Sequence, residues 1–187
     1  MTITEFINRQ KFSFVDYFDR KSLMRKKPIA IVYQNGDKVV VSDITRIWSD
    51  IYVVCCEMLY NDYKNVFKEL AGTSLLNHKN CDIALTGHHR NKMVVPKKIA
   101  EDAYVETNYC SFDFIDRITA LLSKCGLESN AILIAVVDEN LSYTNIIKAH
   151  IELNTYVTTN EFKKFYSLNL LCSSEKDKGT EVHYFSF

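Results

Sequence analysis

The stretch from Asn77 to Arg90, NHKNCDIALTGHHR, holds three of the chain's five histidines and one of its six cysteines. Three chemistries suit such a stretch. Zinc takes four nitrogen or sulfur ligands in a tetrahedron, and His78-x-x-Cys81 has a usable local spacing. His88 or His89 must then return to the same ion. Cys81 and His88 lie roughly 20 Å apart if the chain between them is extended, and no Cys-x-x-Cys pair occurs anywhere to complete a site. The expectation is therefore no metal, and no other cofactor. Asp138 and Glu139 form an acidic pair, but two carboxylates alone hold a cation weakly.

The second chemistry is nucleophilic. A thiol enzyme needs a thiolate, a histidine base and often an orienting third group. Cys81 or Cys110 with His150 or His183 supplies such pairs on paper, as any chain with this many Cys and His does. The third is anion binding. The turn Gly87-His88-His89-Arg90-Asn91-Lys92 collects donors, yet neither a GxxxxGK[ST] nor a GxGxxG pattern is present. An enzyme assembled from this loop over residues 78–92 would use Cys81, His88 and His89 for chemistry. Arg90 and Lys92 would hold a small or phosphate-bearing ligand.

These residues need elements to position them. The chain has 187 residues, with 47% apolar and 25% charged. That fits one domain with a core that needs no disulfide or metal. There are 11 Tyr and 11 Phe but only 5 Gly and 2 Pro. Few turn formers and many core formers favour helices mixed with a few strands over a barrel or sandwich. The expected fold is α+β: a single domain over 1–187, with a mixed or antiparallel sheet packed by several amphipathic helices.

Ile29–Tyr33 and Lys38–Val41 are β-rich runs around Asn35-Gly36, so a hairpin over about 29–41 is predicted. Ser42 is placed to cap a helix whose apolar positions run from Ile44 and Ile47 to Leu70 and stop at Gly72. Cys81–Thr86 and Met93–Val95 are read as strands, Phe112–Cys125 as a helix ended by Gly126, and Ala131–Val137 as a central buried strand. Tyr143–Leu153 is read as a helix. Thr158–Glu161 offers a capping box, and Leu168–Cys172 and Glu181–Phe187 read as closing strands. Thr2-Ile3-Thr4-Glu5 also fits a capping box, which makes 1–27 a helical and basic segment packed onto the domain.

The 23 basic and 23 acidic residues cancel, so net charge gives no support for a nucleic-acid or membrane-surface protein. No basic, apolar-cored leader opens the chain, and no apolar run is long enough for a membrane span. Cysteines without regular spacing then read as reduced thiols. The expected compartment is the cytoplasm of the producing or a host cell.

With no catalytic motif, binding is the leading expectation, and an enzyme is not favoured. Aromatics exceed what one core needs, and aromatic and Arg anchors are what binding surfaces use. Tyr60, Tyr63 and Tyr109, with Arg25, Lys26 and Lys27, are the candidate partner contacts. Small aromatic-rich, Lys/Asn-rich intracellular proteins of this kind are commonly adaptors, inhibitors or accessory proteins of viruses and mobile elements. The partner is expected to be another protein and not a membrane. Nucleic acid, bound by the basic clusters at 20–27 and 90–98, is the less favoured alternative.

Overall fold

The apolar run at 131–137 becomes the strand around which the molecule is built. In the computed structural model, which describes residues 12–15, 17, 23, 25–35, 38–76, 81–86 and 88–158, the strands are β1 (Ser13–Phe14), β2 (Lys26–Asn35), β3 (Lys38–Val41), β4 (Ile83–Leu85), β5 (Pro96–Ala100), β6 (Ala103–Glu106) and β7 (Ile132–Asp138). The helices among these residues are α1 (Trp48–Leu70), α2 (Ser111–Lys124) and α3 (Tyr143–Val157). Two antiparallel sheets form, ordered β1-β7-β2-β3 and β4-β6-β5. This is the expected α+β architecture, with the sheets antiparallel.

Strand side chains alternate between faces, and β7 is apolar on both. Ile132, Ile134 and Val136 enter one core with Ile31, Tyr33, Ile51, Leu59, Ile118 and Leu122. Leu133, Ala135 and Val137 enter a second core with Ala30, Val32, Ile146, Ala149, Leu153 and Tyr156. The main sheet thus lies between α1 and α2 on one side and α3 on the other. Burying each large aliphatic side chain contributes about 1.5–3 kcal/mol. A register shift between Pro28 and Ala30 puts Ile29 and Ala30 into the same core, as a bulge does. Phe12 and Val15 are buried and Ser13 pairs with Val136, so this part of the N-terminal segment packs onto the domain.

The helix after the hairpin does not begin at Ser42. The Ser42 hydroxyl accepts the Ile31 N–H (2.9 Å) and donates to the Asp43 carbonyl, so it cannot cap. The Ser42 and Thr45 N–H groups bond to the Ile31 and Ile29 carbonyls, which keeps residues 42–45 running beside β2. The helix starts at Trp48 instead, and Ile47, read from sequence as a core position, is 58% exposed. The hairpin register pairs Asn35 with Lys38, so two residues, 36 and 37, separate the paired positions. Those two lie outside the described residues.

Met93–Val95 is not a strand. The strand lies just beyond, at β5, and forms a second hairpin with β6 that the sequence pattern did not signal. Helix α2 matches expectation closely, with Phe114, Ile115, Ile118, Leu121 and Leu122 all buried. Its end is a Schellman motif: Gly126, at φ +70°, donates to Ser123 O, and Leu127 N donates to Leu122 O. The predicted capping boxes at 2–5 and 158–161, and the closing strands after residue 167, fall wholly or largely outside the described residues. Among those residues, no helix is long and apolar enough to cross a membrane.

Candidate functional site

The loop from His88 to Val95 is held at both ends. At its start, His88 N bonds to Leu85 O (2.9 Å), and His89 adopts a left-handed φ of 65°. The His89 ring occupies the place of a Cβ on Gly72: a methyl built there would lie 2.6–2.9 Å from three ring atoms. Gly72 itself has φ +83°, so only glycine suits both demands. At the loop's other end sits Glu106, fully buried. Its carboxylate accepts the N–H groups of Val94, Val95, Thr107 and Asn108, the last three at 2.8–2.9 Å. Val94 and Val95, read as strand from their β-branched side chains, have their amides turned to this carboxylate.

Between these anchors a 3-10 turn, Arg90–Lys92, projects two cations. The Arg90 guanidinium lies 4.6 Å from the Tyr104 ring centroid, a cation–π contact. In the register of β5 with β6, Lys98 stands directly opposite Tyr104. Arg90, Lys92 and Lys98 are exposed, and none forms an ion pair among the described residues. Lys97, one residue earlier, points to the opposite face and pairs with Asp50 of α1 at 2.6 Å. The loop therefore presents a cationic ridge backed by an aromatic ring, a surface that can hold anions and stack on planar groups.

The thiol of the opening stretch is not part of this ridge. Cys81 is buried and donates its S–H to Ile83 O at 2.8 Å. Burial pushes its pKa up, the opposite of what a nucleophile needs. His88 and His89 have ring centroids 6.3 Å apart, and neither hydrogen-bonds Cys81 among the described contacts. Among the described residues, no group of three or more His, Cys, Asp or Glu side chains can hold a metal ion. His78 and His183 lie outside those residues. The described cysteines, Cys55, Cys56, Cys81, Cys110 and Cys125, are all free thiols.

The expected partner contacts are dispersed. Lys26 pairs with Asp138 at 2.7 Å, Lys27 stands opposite Val137, and the carbonyl of Arg25 accepts the Glu139 N–H. Asp138 thus offsets one charge of this basic cluster. Tyr60 is buried, donates to Asp102 (2.6 Å) and lies under the Lys64 ammonium. Tyr63 sits at a kink inside α1, at φ −128° and ψ 38°, and packs against the core. Tyr109 donates to Asp82 (2.5 Å) with the Arg117 guanidinium 3.4 Å from its ring centroid.

Asp82 and Arg117 form a site that sequence reasoning missed. Both are essentially inaccessible, and Arg117 Nε donates to Asp82 Oδ1 at 2.7 Å. Asp82 Oδ2 accepts Leu75 N (2.7 Å) and Ser74 Oγ (3.0 Å). With Tyr109 on Oδ1, the carboxylate is saturated from within the protein. It ties the 73–76 turn, β4 and α2 together and offers no ligand an open position. A signal for it existed: Asp82 interrupts an apolar run, and Arg117 falls on the apolar stripe of α2 between Phe114 and Leu121.

Another unusual surface is on α3. Tyr143 and Ile151 are each 59% exposed, and Ile147, more buried, lies between them at helical spacing. Arg46 stacks over the Tyr143 ring at 5.7 Å, and Ile47 follows it in the chain. His150 Nε2 lies 2.9 Å from Ser42 O, which docks α3 beside the 42–47 segment. No protein-family model matches this chain, and neither a curated protein nor a solved structure matches it.

Proposed function

We propose that this chain is a protein-binding protein of the adaptor, inhibitor or accessory type, and that α3 with the 42–47 segment is its docking face. One observation carries the proposal. Three large apolar side chains, Tyr143, Ile151 and Ile47, stand more than half exposed on segments tied to each other, with Arg46 stacked on the tyrosine. Exposed aliphatics set singly need no explanation, but a contiguous apolar stripe is costly to leave in water. Aromatic and Arg side chains at such a centre are the residue types that dominate binding energy. Lys148 and Arg46, both exposed, border the stripe and suit a partner with an apolar anchor and acidic surroundings.

The aromatic anchors are thus Tyr143 and its neighbours and not Tyr60 or Tyr109, whose hydroxyls serve the protein's own packing. Affinity capture with wild type and with Tyr143→Ala and Ile151→Ala tests the proposal. The partner is retained by the first and lost by the other two.

A further inference from the structure

We propose that the ridge formed by Arg90, Lys92, Lys98 and Tyr104 is a binding surface for single-stranded nucleic acid. It is separate from the α3 face and independent of the protein-binding proposal. Three features of the ridge favour this ligand.

The first is charge. The whole chain is neutral, so any anion attraction must come from local segregation. Lys26 and Lys97 are paired with Asp138 and Asp50, but Arg90, Lys92 and Lys98 have no acidic partner among the described residues. Of the two acids two residues either side of Tyr104, Glu106 is buried and occupied by four backbone N–H groups, and Asp102 is engaged by Lys64 and the Tyr60 hydroxyl. Cations without internal partners are free to exchange their counterions for phosphates.

The second is the ring. Tyr104 stands between Arg90, stacked on it, and Lys98, opposite it across the strand pair. An aromatic ring and a guanidinium plane flanked by cations match the way unpaired bases and their backbone are held. A duplex hides its base faces and is read by an element that fills a groove, which a short loop beside a strand does not do. The third is preorganisation. The His89 ring seated on Gly72 and the Glu106 carboxylate on Val94 and Val95 fix both ends of the loop. Little ordering is then left to oppose binding.

The test is fluorescence anisotropy of a labelled oligothymidylate of about 12 nucleotides, within the site size of such surfaces, titrated with the full chain at several salt concentrations. Binding is expected to weaken with salt. Arg90→Gln and Lys98→Gln should each weaken it and lower the log–log salt slope by about 0.7. Tyr104→Leu should weaken it about tenfold through lost stacking, whereas Tyr104→Phe should retain it. Tyr143→Ala, away from the ridge, should leave it unchanged. Circular dichroism and urea midpoints confirm that each variant is folded. Four results overturn the proposal: no binding at low salt; affinity indifferent to Arg90→Gln and Lys98→Gln; equal loss in Tyr104→Phe and Tyr104→Leu; or complete competition by an equal phosphate concentration of a phosphopeptide. The last would assign the ridge to phosphoproteins.

Discussion

His150 of α3 and Ser42 at the end of β3 are joined across the second core, with Nε2 2.9 Å from the Ser42 carbonyl oxygen. A carbonyl only accepts, so Nε2 carries the proton. Nδ1 then accepts the Asn154 side-chain N–H at 3.3 Å. With Ile44 packing and the Arg46–Tyr143 contact, this bond sets the 42–47 segment against α3, the face proposed for docking. His150→Ala should lower stability by about 1 kcal/mol in a urea titration and speed amide exchange over 42–47. Unchanged exchange there would show that Ile44 packing alone holds the segment.

Asp82 and Arg117 are both buried, so removing one leaves the other charged and unpaired. Asp82→Ala should cost about 3–5 kcal/mol. The double variant Asp82→Ala with Arg117→Met should recover part of that loss, because the orphaned charge is gone. A single-variant cost within 1 kcal/mol of zero contradicts the structural role given to the pair.

Gly72→Ala meets two obstacles, the positive φ and the His89 ring. It should destabilise by more than about 1 kcal/mol. Adding His89→Ala should relieve the steric part and leave the backbone part. Chemical denaturation of the three variants decides this: if the second substitution brings no relief, the ring does not press on Gly72.

Burial raises the thiol pKa values of Cys55, Cys56 and Cys81, and that of Cys125 to about 11. In the unfolded chain such thiols ionise near 8.5. Between about pH 8.5 and 11 the folded state therefore holds more protons than the unfolded one. Stability is full below that window and falls as pH rises through it. Burial raises Tyr17 and Tyr52 as well, which acts in the same direction. Urea midpoints at pH 7.5 and 10.5 should differ accordingly. In a Cys172→Ala background, exposed Cys110 should react with a thiol reagent first, while Cys55, Cys56 and Cys81 wait for unfolding.

The sequence showed most clearly what local pattern dictates. The β-branched run of β7 and the inward stripe of α2 with Gly126 at its end follow from spacing and capping chemistry, and the first hairpin follows from its two β-rich runs, although Asn35 pairs with Lys38, which centres the connection one residue beyond Asn35-Gly36. Partners decided the rest. Ser42 looks like an N-cap until the Ile31 N–H claims its hydroxyl, and Val94 and Val95 look like strand until Glu106 takes their amides. Both acceptor and donor lie eleven or more residues away, beyond any local window. Of the candidate sites, Arg90 and Lys92 were visible as charges, but Tyr104 beneath Arg90 emerges only when β6 pairs with β5. Ile47 reads as inward because a cap at Ser42 extends the helical periodicity five residues ahead of the true cap at Ile47.

We propose that this protein acts by binding another protein through α3 and the 42–47 segment. The most direct measurement is the affinity of a partner, captured from the native cell or its host and then purified, for a panel of folded variants. Tyr143→Ala and Ile151→Ala should each weaken it by about 2 kcal/mol or more, roughly thirtyfold. Cys81→Ala, His88→Ala and His89→Ala should leave it within about twofold. The reverse pattern, or no captured macromolecule together with a metabolite bound to the purified protein, would contradict the account and favour a small-molecule enzyme.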